Sequence, residues 1–171
     1  LDALETCRCI HHEYGTSYYW ATRLFPREMR EATHVLYAFF RVPDEIVDSK
    51  EGARALIERH HVAHMTGGLS AQDAMRVWRE AWQHSSLESV DDAVIKASRE
   101  IFKHFRIPET YADAFLQAME QDLSQTRYQT YQELEEYMYG SAAVVGLMMT
   151  YVIGFSDPIG LPYAEKLGYA M

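Results

Sequence analysis

Residues 37–48 read Y-A-F-F-R-V-P-D-E-I-V-D. Wound as a helix at about 100° per residue, this stretch and its lead-in divide into two unlike faces. Val35, Phe39, Val42 and Ile46 gather on one side and ask for a core. His34, Tyr37, Arg41, Asp44 and Asp48 recur on the other at steps of three and four. Asp44 and Asp48 therefore stand one turn apart and point the same way. Two carboxylates so placed can share a hard divalent cation, and oxygen-only ligation suits Mg²⁺, with Mn²⁺ as a substitute. Arg41 adds a planar fork matched to phosphate oxygens, and Tyr37 a hydroxyl donor. The plain alternative is a solvated face carrying an Arg–Asp pair, the usual meaning of a lone D-x-x-x-D. Two features weigh against it. Asp44, Glu45 and Asp48 crowd the C-terminal end of the helix, where the macrodipole disfavours anions. Tyr37 and Phe40 are also large for an open surface.

The rest of the chain sets bounds on this reading. With 171 residues and 48% of them hydrophobic, it has the makings of one helical domain over 1–171 with a real core. A formal charge of −9 excludes nucleic acid as a natural partner and suits a protein that recruits cations. Cys7 and Cys9, the only cysteines, form a C-R-C that neither pairs with itself nor matches a zinc spacing. They are expected as reduced thiols, hence in the cytoplasm. No leader-like segment opens the chain, and both ends look trimmed. Composition assigns no oligomeric state.

Helical periodicity runs almost throughout. Residues 1–13 form an amphipathic helix, broken at Tyr14, Gly15 and Thr16. Ser17 follows as either a helix cap or a phosphate donor; Tyr18 and Tyr19 read as core or cavity wall. Pro26 opens the central helix, and Pro43 within it either kinks it ahead of the acids or is absorbed. Helices follow over 53–64, 70–84 (capped by Ser70) and 90–105, punctuated at Gly67, Gly68, Ser85 and Ser86. His60, His61 and His64 lack a third ligand and read as exposed histidines, Trp78 and Trp82 as a packing stripe. Pro108 starts a helix ending near Asp122, with Arg127 shortly after as a structural ion-pair partner or a second polar cluster.

Residues 137–155, Y-M-Y-G-S-A-A-V-V-G-L-M-M-T-Y-V-I-G-F, contain no charge. Their length is that of a membrane span, and Ala142 with Gly146 fits a small-residue helix contact. Glu133, Glu135 and Glu136 lead into the run and no basic cluster flanks it, which favours a helix buried on all sides in a bundle. The small residues would admit either a neighbouring helix or a long hydrocarbon chain.

Taken together, residues 17–48, S-Y-Y-W-A-T-R-L-F-P-R-E-M-R-E-A-T-H-V-L-Y-A-F-F-R-V-P-D-E-I-V-D, resemble the first half of the squalene/phytoene synthase family, and phytoene synthases more than squalene synthases. The family carries S-x-(F/Y), then Y-A-x-x-R-x-x-D-(D/E)-x-x-D. A second likeness runs from Asp122-Leu123 through Arg127-Tyr128 and Tyr137 to the small residues 140–146. The sequence departs from the pattern in lacking basic residues before Ser17, and in Ala143 and Val144 where Gly and Thr are usual. The resemblance implies an all-α, isoprenoid-synthase-type helical bundle, incomplete at its C-terminus. It implies Mg²⁺ at Asp44 and Asp48, with Arg41 and Tyr37 beside them. A prenyl diphosphate would be held by Ser17, Tyr18, Asp122, Arg127, Tyr137, Ala142, Val145 and Gly146. The implied reaction joins two geranylgeranyl diphosphates head to head into phytoene, with a peripheral membrane contact open. Farnesyl diphosphate, giving squalene or dehydrosqualene, is the alternative. The family's second D-x-x-x-D is expected beyond Met171, so these residues alone should be inactive. A non-catalytic binding module and a membrane-embedded helical protein are the rivals.

Overall fold

The computed structural model describes residues 2–60, 70–84 and 92–170. All regular structure among them is helical, as expected. The chain forms two compact units, Leu1–Ile101 and Phe102–Met171.

The first unit holds α1 (Ala3–Tyr14), α2 (Thr16–Thr22), α3 (Arg27–Asp48), α4 (Lys50–His60), α5 (Ala71–His84) and the greater part of α6 (Ala93–Phe105). Its axis is α3, roughly 33 Å long at the standard rise, on which α1, α4 and α5 pack. The apolar face read from the sequence is the buried one: Val35, Phe39, Val42 and Ile46 are almost wholly inaccessible. Each such side chain contributes on the order of 1.5–3 kcal/mol on leaving water, which is why this face dictates the packing. Trp78 and Trp82 are buried as a stripe on α5, with Trp82 lying 4.9 Å from the ring of Phe39. The Arg99 guanidinium lies over the Trp82 ring, 4.0 Å from its centroid.

Local signals set the helix ends. Gly15 separates α1 from α2, and Pro26 stands at the N-cap of α3. Pro43 does not end the helix: α3 runs through it to Asp48. Ser70 caps α5 by accepting the Asp73 N–H at 3.1 Å. α6 starts at Ala93 because Asp92 accepts the N–H groups of Val94 and Ile95 at 2.8 and 2.9 Å; residues 90 and 91 lie outside the described residues.

His60 corrects an expectation. It is buried, with Nε2 3.0 Å from Glu13 Oε2, and Arg59 pairs with the same carboxylate. A partner 47 positions away leaves no mark in local spacing. His61, His64, Gly67, Gly68, Ser85 and Ser86 lie outside the described residues.

The second unit contains α7 (Glu109–Asp122), α8 (Tyr131–Met138), a π-helical segment (Tyr139–Ala143), α9 (Val144–Ile153), a 3₁₀ turn (Pro158–Gly160) and α10 (Leu161–Ala170). The uncharged run is therefore not one straight helix but the end of α8, a π segment and α9, closed by Gly154 at φ +91°. No helix among the described residues is long and apolar enough to cross a membrane. Two of the small residues admit neighbouring helices. A Cβ on Gly140 would fall 2.5 Å from the Ala114 carbonyl oxygen of α7, and one on Gly168 of α10 would fall 2.5 Å from the Ala143 Cα. Gly146 faces α10 less tightly, 3.4 Å from the Ala164 oxygen.

Candidate functional site

The candidate residues Tyr37, Arg41, Asp44 and Asp48 lie on the C-terminal half of α3. Arg41 reaches forward one turn, with Nη1 donating to Asp44 Oδ2 at 2.7 Å and Nη2 paired with Glu45 Oε2 at 2.5 Å. The i+3 and i+4 spacings place both acids on the side to which Arg41 leans. Tyr14, at the end of α1, lies under the guanidinium, 5.2 Å from its ring centroid to Cζ. Asp48 is the last residue of α3 and is exposed. Along this stripe His34 is buried and Tyr37, Arg41 and Asp44 are half-buried, while the Arg–Asp pair of the plain alternative is present as Arg41–Asp44.

Electrostatics strain this end of the helix. Burial pushes the Asp44 carboxyl above its ordinary range; Arg41 opposes the shift, and Asp48 and Glu45 add to it. There is no basic residue in the last turn of α3 to offset the helix dipole. Burial likewise raises the Tyr37 phenol, whose surroundings include Arg41, Asp44 and Glu45.

The donor set fits a hard divalent cation. Among the described residues no three His, Cys, Asp or Glu side chains form a ready-made metal cage. Mg²⁺ does not need one, since it commonly takes one or two carboxylates and fills its octahedron with water and phosphate oxygens. Asp44 and Asp48 are the oxygens this chain would offer.

Ser17 is the second residue of α2 and is exposed. Its cap reading is corrected, because Gly15 occupies the N-cap and no side chain caps the helix. Tyr18 is 66% exposed rather than a core residue, whereas Tyr19 is half-buried and accepts a hydrogen bond from Arg8 at 3.0 Å.

In the second unit the Tyr137 hydroxyl donates to Asp122 Oδ2 at 3.0 Å. Burial and that carboxylate push the phenol up to about 12. The Tyr128 ring lies 5.2 Å from that of Tyr137. Arg127 is exposed beyond α7; Ala142, Val145 and Gly146 are half-buried on the π segment and α9.

His11 is the neighbour that the sequence reading left out: it sits on another helix and had no signal. Glu45 was read among the acids crowding the end of α3, and Tyr14 at the chain break as one of the hydroxyls able to hold phosphate oxygens.

The family model for squalene/phytoene synthase matches residues 11–171. The phytoene synthase of Arthrospira platensis is 27% identical over 161 residues, covering 92% of this chain and 46% of that protein. That of Cereibacter sphaeroides is 29% identical over 174 residues, covering 98% and 45%. The chain thus spans about half the length of the curated relatives it matches. Among solved structures, a squalene synthase from Alicyclobacillus acidocaldarius superposes with a TM-score of 0.76 at 17% identity, over 98% of this chain and 57% of that one. A dehydrosqualene synthase crystallised with a ligand gives 0.70 at 22%, over 98% and 53%. These two likenesses bear on the fold, which is theirs.

Proposed function

The chain belongs to the squalene/phytoene synthase family, and from that membership we propose that it serves a prenyltransferase joining two geranylgeranyl diphosphates head to head into phytoene. The observation that carries this reading is the end of α3, where Asp44, desolvated and crowded by Asp48 and Glu45, shares one face with Arg41 and Tyr37. A bound Mg²⁺ or Mn²⁺ would supply charge neutralisation for a departing diphosphate. Asp44 and Asp48 would hold that ion. Arg41, whose guanidinium lies beside Asp44 and Glu45, would offer its planar fork to the diphosphate oxygens. Tyr37 would donate its hydroxyl to the same group, and Ser17 is the further donor proposed for it. The Asp122–Tyr137 pair, Tyr18, Arg127, Ala142, Val145 and Gly146 are proposed to contact the prenyl substrate.

The matched relatives are phytoene synthases, which favours C20 over C15 substrates. The test is a protein carrying this chain together with the segment that matches the rest of its relatives. Given Mg²⁺ and geranylgeranyl diphosphate, it is expected to release pyrophosphate and form a C40 hydrocarbon. A C30 product from farnesyl diphosphate in preference would move the assignment to squalene or dehydrosqualene synthesis. No turnover of either substrate would sink the enzyme reading in favour of a binding module.

A further inference from the structure

Beside the acid cluster, four rings from α1, α2 and α3 pack together: the buried His11 and His34, which the reaction as described does not use, and the half-buried Tyr19 and Tyr37. The Nδ1 atoms of His11 and His34 are 2.9 Å apart, and both side chains are almost wholly buried. The His11 ring lies flat on that of Tyr37, with centroids 4.1 Å apart and planes 9° from parallel. Tyr19 stacks on His34 at 5.3 Å.

Hydrogen-bond bookkeeping fixes the tautomers. His11 Nε2 is buried without a partner. An orphaned N–H costs more than an orphaned lone pair, so Nε2 is the bare nitrogen and Nδ1 carries the proton. His11 therefore donates to His34, whose own proton sits on Nε2. The His11 ring held by that bond is the one that lies parallel to Tyr37. The chain break at Gly15 closes the clamp: a Cβ there would fall 2.6 Å from Tyr37 Cζ and 2.8 Å from His11 Cδ2. Backbone thus presses on the hydroxyl end of the phenol and on the imidazole together.

We propose that His11 is a positioning residue for Tyr37: anchored through Nδ1–H to His34 and packed flat on one face of the phenol, it blocks the swing of that ring about Cα–Cβ and so keeps the hydroxyl on the Arg41 side of α3. The proposal rests on the reading of Tyr37 and Arg41 as diphosphate-binding groups. A phenol fixed before the ligand arrives loses less freedom on binding, which is what preorganisation contributes to affinity.

Two measurements on the 171-residue chain test it. The first uses no ligand. With ¹³C-labelled tyrosine rings and Tyr37 assigned through Tyr37→Phe, the Tyr37 ring is expected to flip slowly in the wild type and in His11→Phe, and rapidly in His11→Leu. His11→Gln, which keeps a donor for His34 and loses the ring, replaces His11→Leu if that variant does not fold. A flip rate unchanged by loss of the ring overturns the proposal. The second is calorimetric affinity for inorganic pyrophosphate with Mg²⁺. His11→Leu (or Gln) and Tyr37→Phe are each expected to weaken binding about tenfold, the scale of one hydrogen bond to a charged group. The double variant should be no weaker than Tyr37→Phe alone, since His11 acts through the missing hydroxyl. Losses that multiply would give His11 a separate, merely structural role and overturn the proposal. If the wild type binds no pyrophosphate, the functional reading fails, and the flip rate alone decides the role of His11.

Discussion

The Asp44 carboxyl is raised above its ordinary range, chiefly because burial removes water from it. A carboxyl whose pKa is raised on folding opposes folding when ionised, so its contribution improves as pH falls toward that pKa and is lost as pH rises through it. Asp44→Asn is therefore expected to melt at the same temperature as the wild type or higher, while losing the stabilisation that Mg²⁺ gives. That stabilisation should reach about 1.4 kcal/mol at ten times the dissociation constant. Thermal melts with and without Mg²⁺ check both halves of the statement. The buried histidines run the other way. Desolvation holds His11 and His34 each at about 4, below the ordinary 6.5, with Arg8 and Arg30 adding to the effect at His34 and Glu31 and Glu5 opposing it. Their contribution is complete above 6.5 and is lost as pH falls through about 4. Between pH 7 and 5 the wild type is expected to lose more stability than His11→Phe, as chemical denaturation at the two values would reveal. Equal losses would contradict the neutral pair. Of these residues, Tyr37, Arg41, Asp44 and Asp48 were legible because one helix carries them at steps of three and four. The histidine pair was not. His11 and His34 are 23 positions apart with the whole of α2 between their helices, and no local period joins them.

Among the elements, the π segment and the glycines around it show where periodicity runs out. Residues 137–155 are apolar on every side, so no face distinguishes an α-helix from a π insertion. Only packing does, through the approach of α7 at Gly140 and α10 at Ala143. Gly140→Ala places its methyl against a backbone carbonyl and is expected to cost about 1–3 kcal/mol in equilibrium unfolding. Gly146→Ala, with ordinary clearance from α10, should instead be neutral or stabilising by up to about 1 kcal/mol from helix propensity. Equal effects at the two positions would mean that α7 does not touch the π segment. Arg106 ends α6 at φ +56°, with the Ile107 N–H bonded back to the Phe102 carbonyl at 2.9 Å. This is a left-handed helix stop without its usual glycine. Arg106→Gly is expected to stabilise the chain by about 1 kcal/mol, read as a raised denaturation midpoint. Capping and proline signals, by contrast, were readable directly: Ser70, Pro26 and Pro108 each stand at the helix start they announce.

At the scale of the molecule, two compact helical units carry separate polar groups: Tyr37, Arg41, Asp44, Glu45 and Asp48 in one, and Asp122 with Tyr137 in the other. The fold class was legible because helical periodicity with caps and breaks runs nearly end to end, and the α3 block has few other meanings. The division into units was not, since no linker-like composition marks residues 101 and 102. Among the described side chains at the acid end of α3, Arg41 pairs with Asp44 and Glu45 while Asp48 adds a third carboxylate, and that crowding of acids is the physical basis for the proposed chemistry. The most direct measurement is pyrophosphate binding to the wild-type chain by calorimetry, with Mg²⁺ and again with a chelator. Binding is expected with Mg²⁺, and its loss is expected both with the chelator and in Asp44→Asn/Asp48→Asn. Affinity that survives either change would show that these aspartates gather no cation for a diphosphate.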